Sequence, residues 1–330
     1  MMTAQQDTFA GFVATLGRGP GRSRALTREE AREAFGMVLR READPHQVGA
    51  FLMLLRFRGE DADEITGIVE AARDSIGSPW PGPGADLDWP SYGAGRTRGA
   101  PWFLLSALAL ARAGATVLMH GSNEYSAGIS VDSGLLALGL DAAAGRDDAV
   151  ARLRSNGFAY LPLTSLSPAL DNLLRMRRLF GLRSPVNTAV RLLNPGDATA
   201  GVDGVFHPPY LAVHLGVAEL MARPRLFVLK GGGGEAERVP LKSATGWLWD
   251  KTRGQSEIAL PAWQGLAPLT PAADTPALLA SVWRGELAPP TVVSTVTATI
   301  ALGMLALGWA TTAEAAERDA VRIWRDRLPV

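Results

Sequence analysis

Between residues 77 and 95 the chain sets Pro79, Pro81, Pro83 and Pro90 among Gly77, Gly82, Gly84 and Gly93. Proline removes a backbone donor and glycine removes conformational restraint, so no helix runs through such a stretch. It reads as a linker or hinge. The apolar pattern differs on its two sides. Before it, residues 27–76 read as helices. Thr27 stands ahead of Glu29 and Glu30 as an N-cap with an acidic first turn, and Ala31, Phe35, Val38 and Leu39 recur at helical spacing. Pro45 opens a second helix with Val48, Phe51, Leu52 and Leu55 on one face, and Ile65, Ile68, Val69 and Ala72 mark a third. After the break, short apolar runs end at glycine-containing turns and lead into helices. Thr116–Met119, Phe158–Leu161, Gly204–Val205 and Leu226–Leu229 read as strands. Pro101–Gly114, Pro168–Phe180, Pro209–Met221, Thr275–Arg284 and Pro290–Ala310 read as helices. That recurrence is the α/β pattern. The expected fold class is a small all-α domain, residues 1–76 with a later helical insertion near 165–190, hinged to a larger α/β domain, residues 77–330, with a mostly parallel central sheet.

Thirty-three basic residues balance thirty-three acidic ones, so global charge names no partner. Cysteine is absent, which removes disulfides, thiolate catalysis and Cys-ligated metals together. Residues 1–17 lack the basic and apolar regions of a secretory signal. The longest apolar run, near Thr297–Thr312, is shorter than the ~20 residues a membrane span needs. A soluble, cytoplasmic protein with no membrane partner is expected.

Four segments could carry chemistry. Gly93-Ala94-Gly95-Arg96-Thr97-Arg98-Gly99 lies between the hinge and a helix start, where bare backbone N–H groups, the helix dipole, Arg96 and Arg98 would favour a phosphate. It matches neither the dinucleotide glycine pattern nor a Walker loop, so a flexible turn with solvated arginines fits as well. Met119-His120-Gly121-Ser122-Asn123 follows a strand, the place where ligands gather in open α/β sheets, and the alternative for His120 is a bond to local backbone. Residues 151–191 hold seven arginines (Arg152, Arg154, Arg175, Arg177, Arg178, Arg183, Arg191) against one acid, Asp171. Arg175 and Arg178 share a helical face, either for phosphates or for solvent. Lys230-Gly231-Gly232-Gly233-Gly234-Glu235 is an open turn after a strand. The scattered histidines supply no metal spacing, and no G-x-S-x-G elbow occurs. No metal site is expected. Trp247 and Trp249 could stack bases or pack a subdomain.

In order, the helical bundle, the Gly-rich loop, Met119-His120-Gly121-Ser122, Gly181-Leu182-Arg183 with Asn187, Leu193-Asn194-Pro195 and Gly204-Val205-Phe206-His207-Pro208 resemble anthranilate phosphoribosyltransferase and its nucleoside-phosphorylase-type relatives (glycosyltransferase family 3). The resemblance runs from about Phe12 to the C-terminus. It implies ligands in the interdomain cleft and a homodimer through the helical domain. It also implies departures. The family's Gly-Thr-Gly-Gly-Asp pyrophosphate loop corresponds to Gly93-Ala94-Gly95-Arg96-Thr97, its Asn-x-Ser-Thr to about Pro101–Leu104, and its Lys-His-Gly-Asn to Met119–Ser122. Its metal-binding Asp-Glu pair corresponds to about Ala236-Glu237. Arg177 stands where an arginine meets the anthranilate carboxylate, with Asn187 and His120 retained. Magnesium neutralises departing pyrophosphate and needs carboxylates to hold it, so this pattern implies a cleft that attracts phosphates directly.

Such a pattern resembles a divergent, nucleic-acid-binding branch. The expectation is therefore a catalytically degenerate protein that binds nucleic acid or another phosphate-rich ligand. Its ligand contacts would be Gly93, Gly95, Arg96, Arg98, His120, Gly121, Ser122, Arg177, Arg183, Asn187 and Lys230. Nucleic acid would meet Arg96, Arg98, Arg175, Arg177, Arg178 and Lys230. No cofactor is expected. The alternatives are an active phosphoribosyl- or glycosyltransferase with another acceptor, which would use Mg²⁺, and a regulatory module for a phosphorylated metabolite.

Overall fold

Four helices precede the first strand in the computed structural model, which describes residues 3–19, 21–80, 84–93, 99–125, 127–270 and 274–328. They are α1 (Ala4–Gly17), α2 (Arg28–Leu39), α3 (Pro45–Arg58) and α4 (Ala62–Ser75). Each begins with a reciprocal capping box, Thr3 with Gln6, Thr27 with Glu30, Asp44 with Gln47 and Asp61 with Glu64. These pairs satisfy helix-start donors that would otherwise lack partners. Arg24 adds a two-bond clasp on Glu30 and is the main cause of that carboxyl's fall to about 2 from an ordinary 4.5. A lowered carboxyl stabilises the fold above its unfolded value, and that contribution disappears as pH falls from 4.5 towards 2. Both side chains reach solvent, so the contribution is about 1 kcal/mol or less. Glu30→Gln should flatten the acid limb of a denaturation-against-pH curve by that amount, and an unchanged limb would refute the assignment.

Past the hinge come β1 (Leu87–Ser91), α5 (Trp102–Arg112), β2 (Val117–Gly121), α6 (Val131–Ala137), α7 (Arg146–Asn156) and β3 (Phe158–Pro162). Four short helices follow, α8 (Leu163–Leu166), α9 (Pro168–Arg175), α10 (Arg177–Phe180) and α11 (Val186–Ala189). The chain ends with β4 (Ala200–Val205), α12 (Pro209–Leu220), β5 (Arg225–Lys230), β6 (Ala244–Asp250), β7 (Gly254–Leu260), α13 (Pro276–Trp283), α14 (Pro290–Leu307) and α15 (Ala313–Arg325). The sheet order is β3-β2-β1-β4-β5-β6-β7; β1 to β5 are parallel, and β6–β7 is an antiparallel hairpin on the edge. The chain therefore leaves β1 towards β2 and β3 and later returns to its other side as β4 and β5. That reversal is a topological switch, and the crevice beyond the carboxyl ends of β1 and β4 is where such sheets bind ligands.

Trp89, Trp102, Phe103 and Phe227 fill one face of the sheet with α5 and α14. The long apolar run is α14, long and apolar enough to cross a membrane but 78% buried in this core. Phe9, Phe35, Phe51, Leu52 and Ile65 form a second core, joined by Leu163, Leu170, Leu174, Val186 and Val190. Residues 163–193 thus pack with the N-terminal helices.

Three expectations need correction. The supposed linker contains β1, the central strand. Its Pro90 is tolerated because the β1–β4 ladder stops at Asp88↔Gly201, leaving pairing there to β2 alone. The β6–β7 hairpin was not anticipated; Trp247 and Trp249 pack against the Val205–Val228 cluster, and Trp249 Nε1 donates to the Arg223 carbonyl at 2.9 Å. The helix expected over Pro168–Phe180 breaks at Met176.

Candidate anion-binding site

At the switch point the parallel strands leave their terminal carbonyls facing one crevice. Arg191 sits in the turn after α11 with only 4% of its surface exposed. Its Nη1 donates to the carbonyls of Gly204 (3.2 Å) and Gly234 (2.6 Å), and its Nη2 to Tyr92 (2.8 Å). One guanidinium thus ties together the ends of β1 and β4 and the loop after β5. Gly204 permits this closeness, since a Cβ there would overlap the Glu235 backbone.

Above that strap lies a cleft lined by Arg56, Arg183, Ser184, Asn187, Thr188, Arg191, His207, Tyr210 and His214. Three of its side chains are guanidiniums, and no carboxylate stands among its lining residues. Arg183 has no hydrogen-bond or ion-pair partner among the described residues. Burial, reinforced by Arg191, Arg177 and Arg56, pushes its guanidinium down to about 10. Arg56 reaches in from the helical body, steadied by the Tyr210 hydroxyl at 2.7 Å, which itself donates to Glu60 at 3.0 Å. Burial, with Glu60 next, raises the Tyr210 phenol to about 12. Asn187 Oδ1 accepts from the Ser184 N–H, which turns the amide nitrogen free. A pocket lined by three guanidiniums and no carboxylate favours an anion.

A second, more polar cleft opens beyond β2 and β3, lined by Gly121, Ser122, Asn123, Glu124, Asp132, Tyr160, Thr164 and Arg175. Gly121 is needed there because a Cβ would overlap the Ser91 carbonyl. Asn123 holds Asp132 at 2.5 Å, and burial raises the Asp132 carboxyl.

Comparison with known proteins matches residues 12–76 to the glycosyl transferase family, helical bundle domain. The anthranilate phosphoribosyltransferase of Chelativorans sp. is 30% identical over 209 residues, covering 63% of this chain and 62% of the relative. That of Myxococcus xanthus is 32% identical over 228 residues, covering 68% and 66%. The matched stretch thus spans less than two thirds of these relatives. The crystal structure of anthranilate phosphoribosyltransferase from Thermus thermophilus superposes with a TM-score of 0.78 at 23% identity, covering 97% of this chain and 95% of that one. Residues 12–76 thus match this family's helical bundle domain, and the chain as a whole shares the fold of these transferases. Its small helical body and larger, mostly parallel α/β body are the family's architecture.

Within that family framework the expected contacts separate. Arg183 and Asn187 line the anion cleft, and Gly121 and Ser122 line the second. Gly93 closes β1 against the Glu235 carboxylate. Gly95, Arg96 and Arg98 lie outside the described residues. His120 is a correction: it is completely buried, shares Nδ1 with the Tyr92 hydroxyl at 2.8 Å, and has Nε2 3.2 Å from Asp88, out of line for a hydrogen bond. It braces the sheet and does not reach a ligand. Lys230 is a second correction; it is exposed at the end of β5 and lines neither cleft.

The arginine excess is a third correction. Glu124 binds Arg175 at 2.6 Å and Arg178 at 2.7 Å, and Asp171 binds Arg175 again at 2.6 Å. Arg177 lies over the Tyr125 ring at 4.6 Å. Paired or buried cations do not make a basic stripe for a polymer. The residues at the position of the resembled family's metal-binding pair do not fit Mg²⁺ either. Ala236 replaces one, Glu237 Oε2 accepts from the Phe103 N–H at 3.0 Å, and Glu235 is buried against Gly93.

Sequence reasoning missed Arg56, Tyr210 and His214 and counted Arg191 only within the arginine excess. Arg191 had a readable signal, a lone cation inside the apolar run Val190–Leu193. His214 had a weaker one, a single polar residue at helical spacing among Leu211, Leu215 and Ala218. Arg56 had none, because its partner lies 154 residues away.

Proposed function

We propose that this anthranilate phosphoribosyltransferase-like protein binds a small, multiply charged phosphate ligand in the cleft at the β1/β4 switch, in preference to nucleic acid. The observation that carries the reading is Arg183, half-buried in the cleft, unpartnered among the described residues and crowded by Arg56, Arg177 and Arg191. A bound anion would supply the counter-charge that the described residues do not give this guanidinium. The paired state of Arg175 and Arg178 argues against a polymer groove.

Inorganic pyrophosphate and phosphoribosyl pyrophosphate are the direct probes, measured by calorimetry. Arg183→Ala should weaken either by about ten- to a hundredfold, the worth of one or two charge-assisted bonds. Its melting temperature should stay level or rise, since a repelled charge is removed. Weaker binding together with a clear loss of stability would contradict the role given to Arg183. Duplex or single-stranded DNA should bind weakly at any salt; tight, salt-sensitive binding would return the polymer reading.

A second reading is transfer to an acceptor seated in the neighbouring cleft, favoured by the convergence of Asn123, Asp132, Tyr160 and Thr164 there. Pyrophosphate release from phosphoribosyl pyrophosphate across a panel of acceptors, with and without Mg²⁺, tests it. The expected homodimer through the helical body is also a proposal. It is supported by Phe57 and Leu179, exposed at 89% and 80%, and is tested by sedimentation.

A further inference from the structure

Asp203 on β4 and His214 on α12 form a dyad that none of the preceding roles uses. Asp203 Oδ2 lies 2.8 Å from His214 Nδ1, and the side chains are 1% and 2% exposed. Burying such a pair is costly, and it persists only where its geometry is fixed. Asp203 Oδ1 has no other partner, so the carboxylate serves the imidazole alone. His214 lines the same cleft as Arg183, and Nε2 is the ring nitrogen left for that cleft. A carboxylate on Nδ1 selects the tautomer with its proton there, which leaves Nε2 a bare acceptor until the ring is protonated. Nε2 can therefore face the cleft either as a neutral acceptor or, in the protonated ring, as a charged donor.

We infer that the Asp203–His214 dyad is a proton-linked contact of the anion cleft: His214, protonated as the ligand arrives, donates through Nε2 to a phosphoryl oxygen of a dianion. The inference rests on the anion-cleft reading. Several charged and titratable groups share this cleft with the ring. Asp203 lies on β4, Arg183 and Arg191 on the segment around α11, Arg56 on α3, and Tyr210 and His207 at the start of α12, with Glu60 behind Tyr210. The guanidiniums and the carboxylate act on the imidazole in opposite senses. A bound dianion joins the carboxylate's side, so binding favours the charged ring and takes up a proton. Ligands that are dianionic near neutrality, phosphate monoesters and pyrophosphate, gain from this contact more than phosphodiesters, which carry one charge.

Sulfate is the clean probe because it stays dianionic and does not titrate near neutrality. Its binding heat, measured in two buffers of different ionisation enthalpy, reports protons directly. The wild-type protein should take up protons on binding sulfate, and its affinity should rise as pH falls. His214→Asn should bind sulfate more weakly, without proton uptake and with a flat pH profile. Asp203→Asn keeps the ring and should reduce the uptake. Imidazole ¹⁵N shifts of the wild-type protein give the same answer without a variant: one of the four histidines should become doubly protonated on adding sulfate.

If the wild-type protein binds sulfate with no proton exchange, or if His207→Asn and not His214→Asn abolishes it, the dyad inference is wrong and the anion cleft stands. If neither sulfate nor pyrophosphate binds at any pH, the cleft reading itself falls.

Discussion

Arg191→Ala is expected to cost about 4 kcal/mol of folding stability and to remove anion binding with it. The guanidinium donates three bonds to carbonyls of Tyr92, Gly204 and Gly234, which belong to three separate segments. Removal leaves three buried acceptors without donors, each worth about 1–3 kcal/mol, and water entering the gap recovers part of the loss. Lysine is no substitute, because one ammonium on a flexible stem cannot reproduce a planar fork reaching three divergent oxygens. Arg191→Lys should recover less than half of the deficit. Urea denaturation measures both variants. The comparison with Arg183→Ala is the decisive part. Both arginines line one cleft, yet one is fully bonded to the fold and the other is bonded to nothing described. Removing the first should unfold the strand ends, and removing the second should leave stability level or better. If Arg191→Ala melts within about 1 °C of the wild type, the strap is not what holds the crevice together.

Much of the architecture is legible in the chain because it follows from local rules. The capping residues Thr27 and Asp44, the helical spacing through Phe35 and Phe51, and the strands closed by Gly121 and Lys230 each declare themselves within a few residues. The central strand β1 is concealed because Asp86, Asp88 and Pro90 give Leu87–Ser91 the composition of a loop. Asp88 reads as a surface residue until Arg223, 135 positions later, is placed against it. The site is harder still. Arginine counting over residues 151–191 finds an excess, but charge in a sequence carries no sign of its partner. Glu124 neutralises Arg175 and Arg178 from outside that window, while Arg183 in the middle of it has no ion-pair partner among the described residues. His120 shows the same limit in reverse. Its place after a strand marks a ligand contact by position, and its ring turns inward to Tyr92 and Asp88, which the motif cannot tell.

Asp88→Ala should be nearly as damaging as the loss of Arg191, through charge instead of carbonyl satisfaction. Asp88 is 1% exposed in the central strand and is the hydrogen-bonding side chain of Arg223, whose Nη2 donates to it at 3.1 Å. The Nε and Nη1 atoms of Arg223 are buried without partners, so the guanidinium depends on that one carboxylate. Removing the acid strands a buried cation, at a cost of about 3–5 kcal/mol. Asp88→Asn keeps the shape and one acceptor but not the charge, so it should lie between alanine and wild type. The revealing variant is the double replacement Asp88→Val with Arg223→Met. Two apolar side chains of comparable bulk owe no desolvation cost, so the pair should regain most of the stability that either single change loses. Denaturation of the two single variants and the double variant gives the coupling directly. If the two losses simply add, Asp88 and Arg223 do not act as a pair, and the sheet's centre is held by its apolar packing around Trp89 alone.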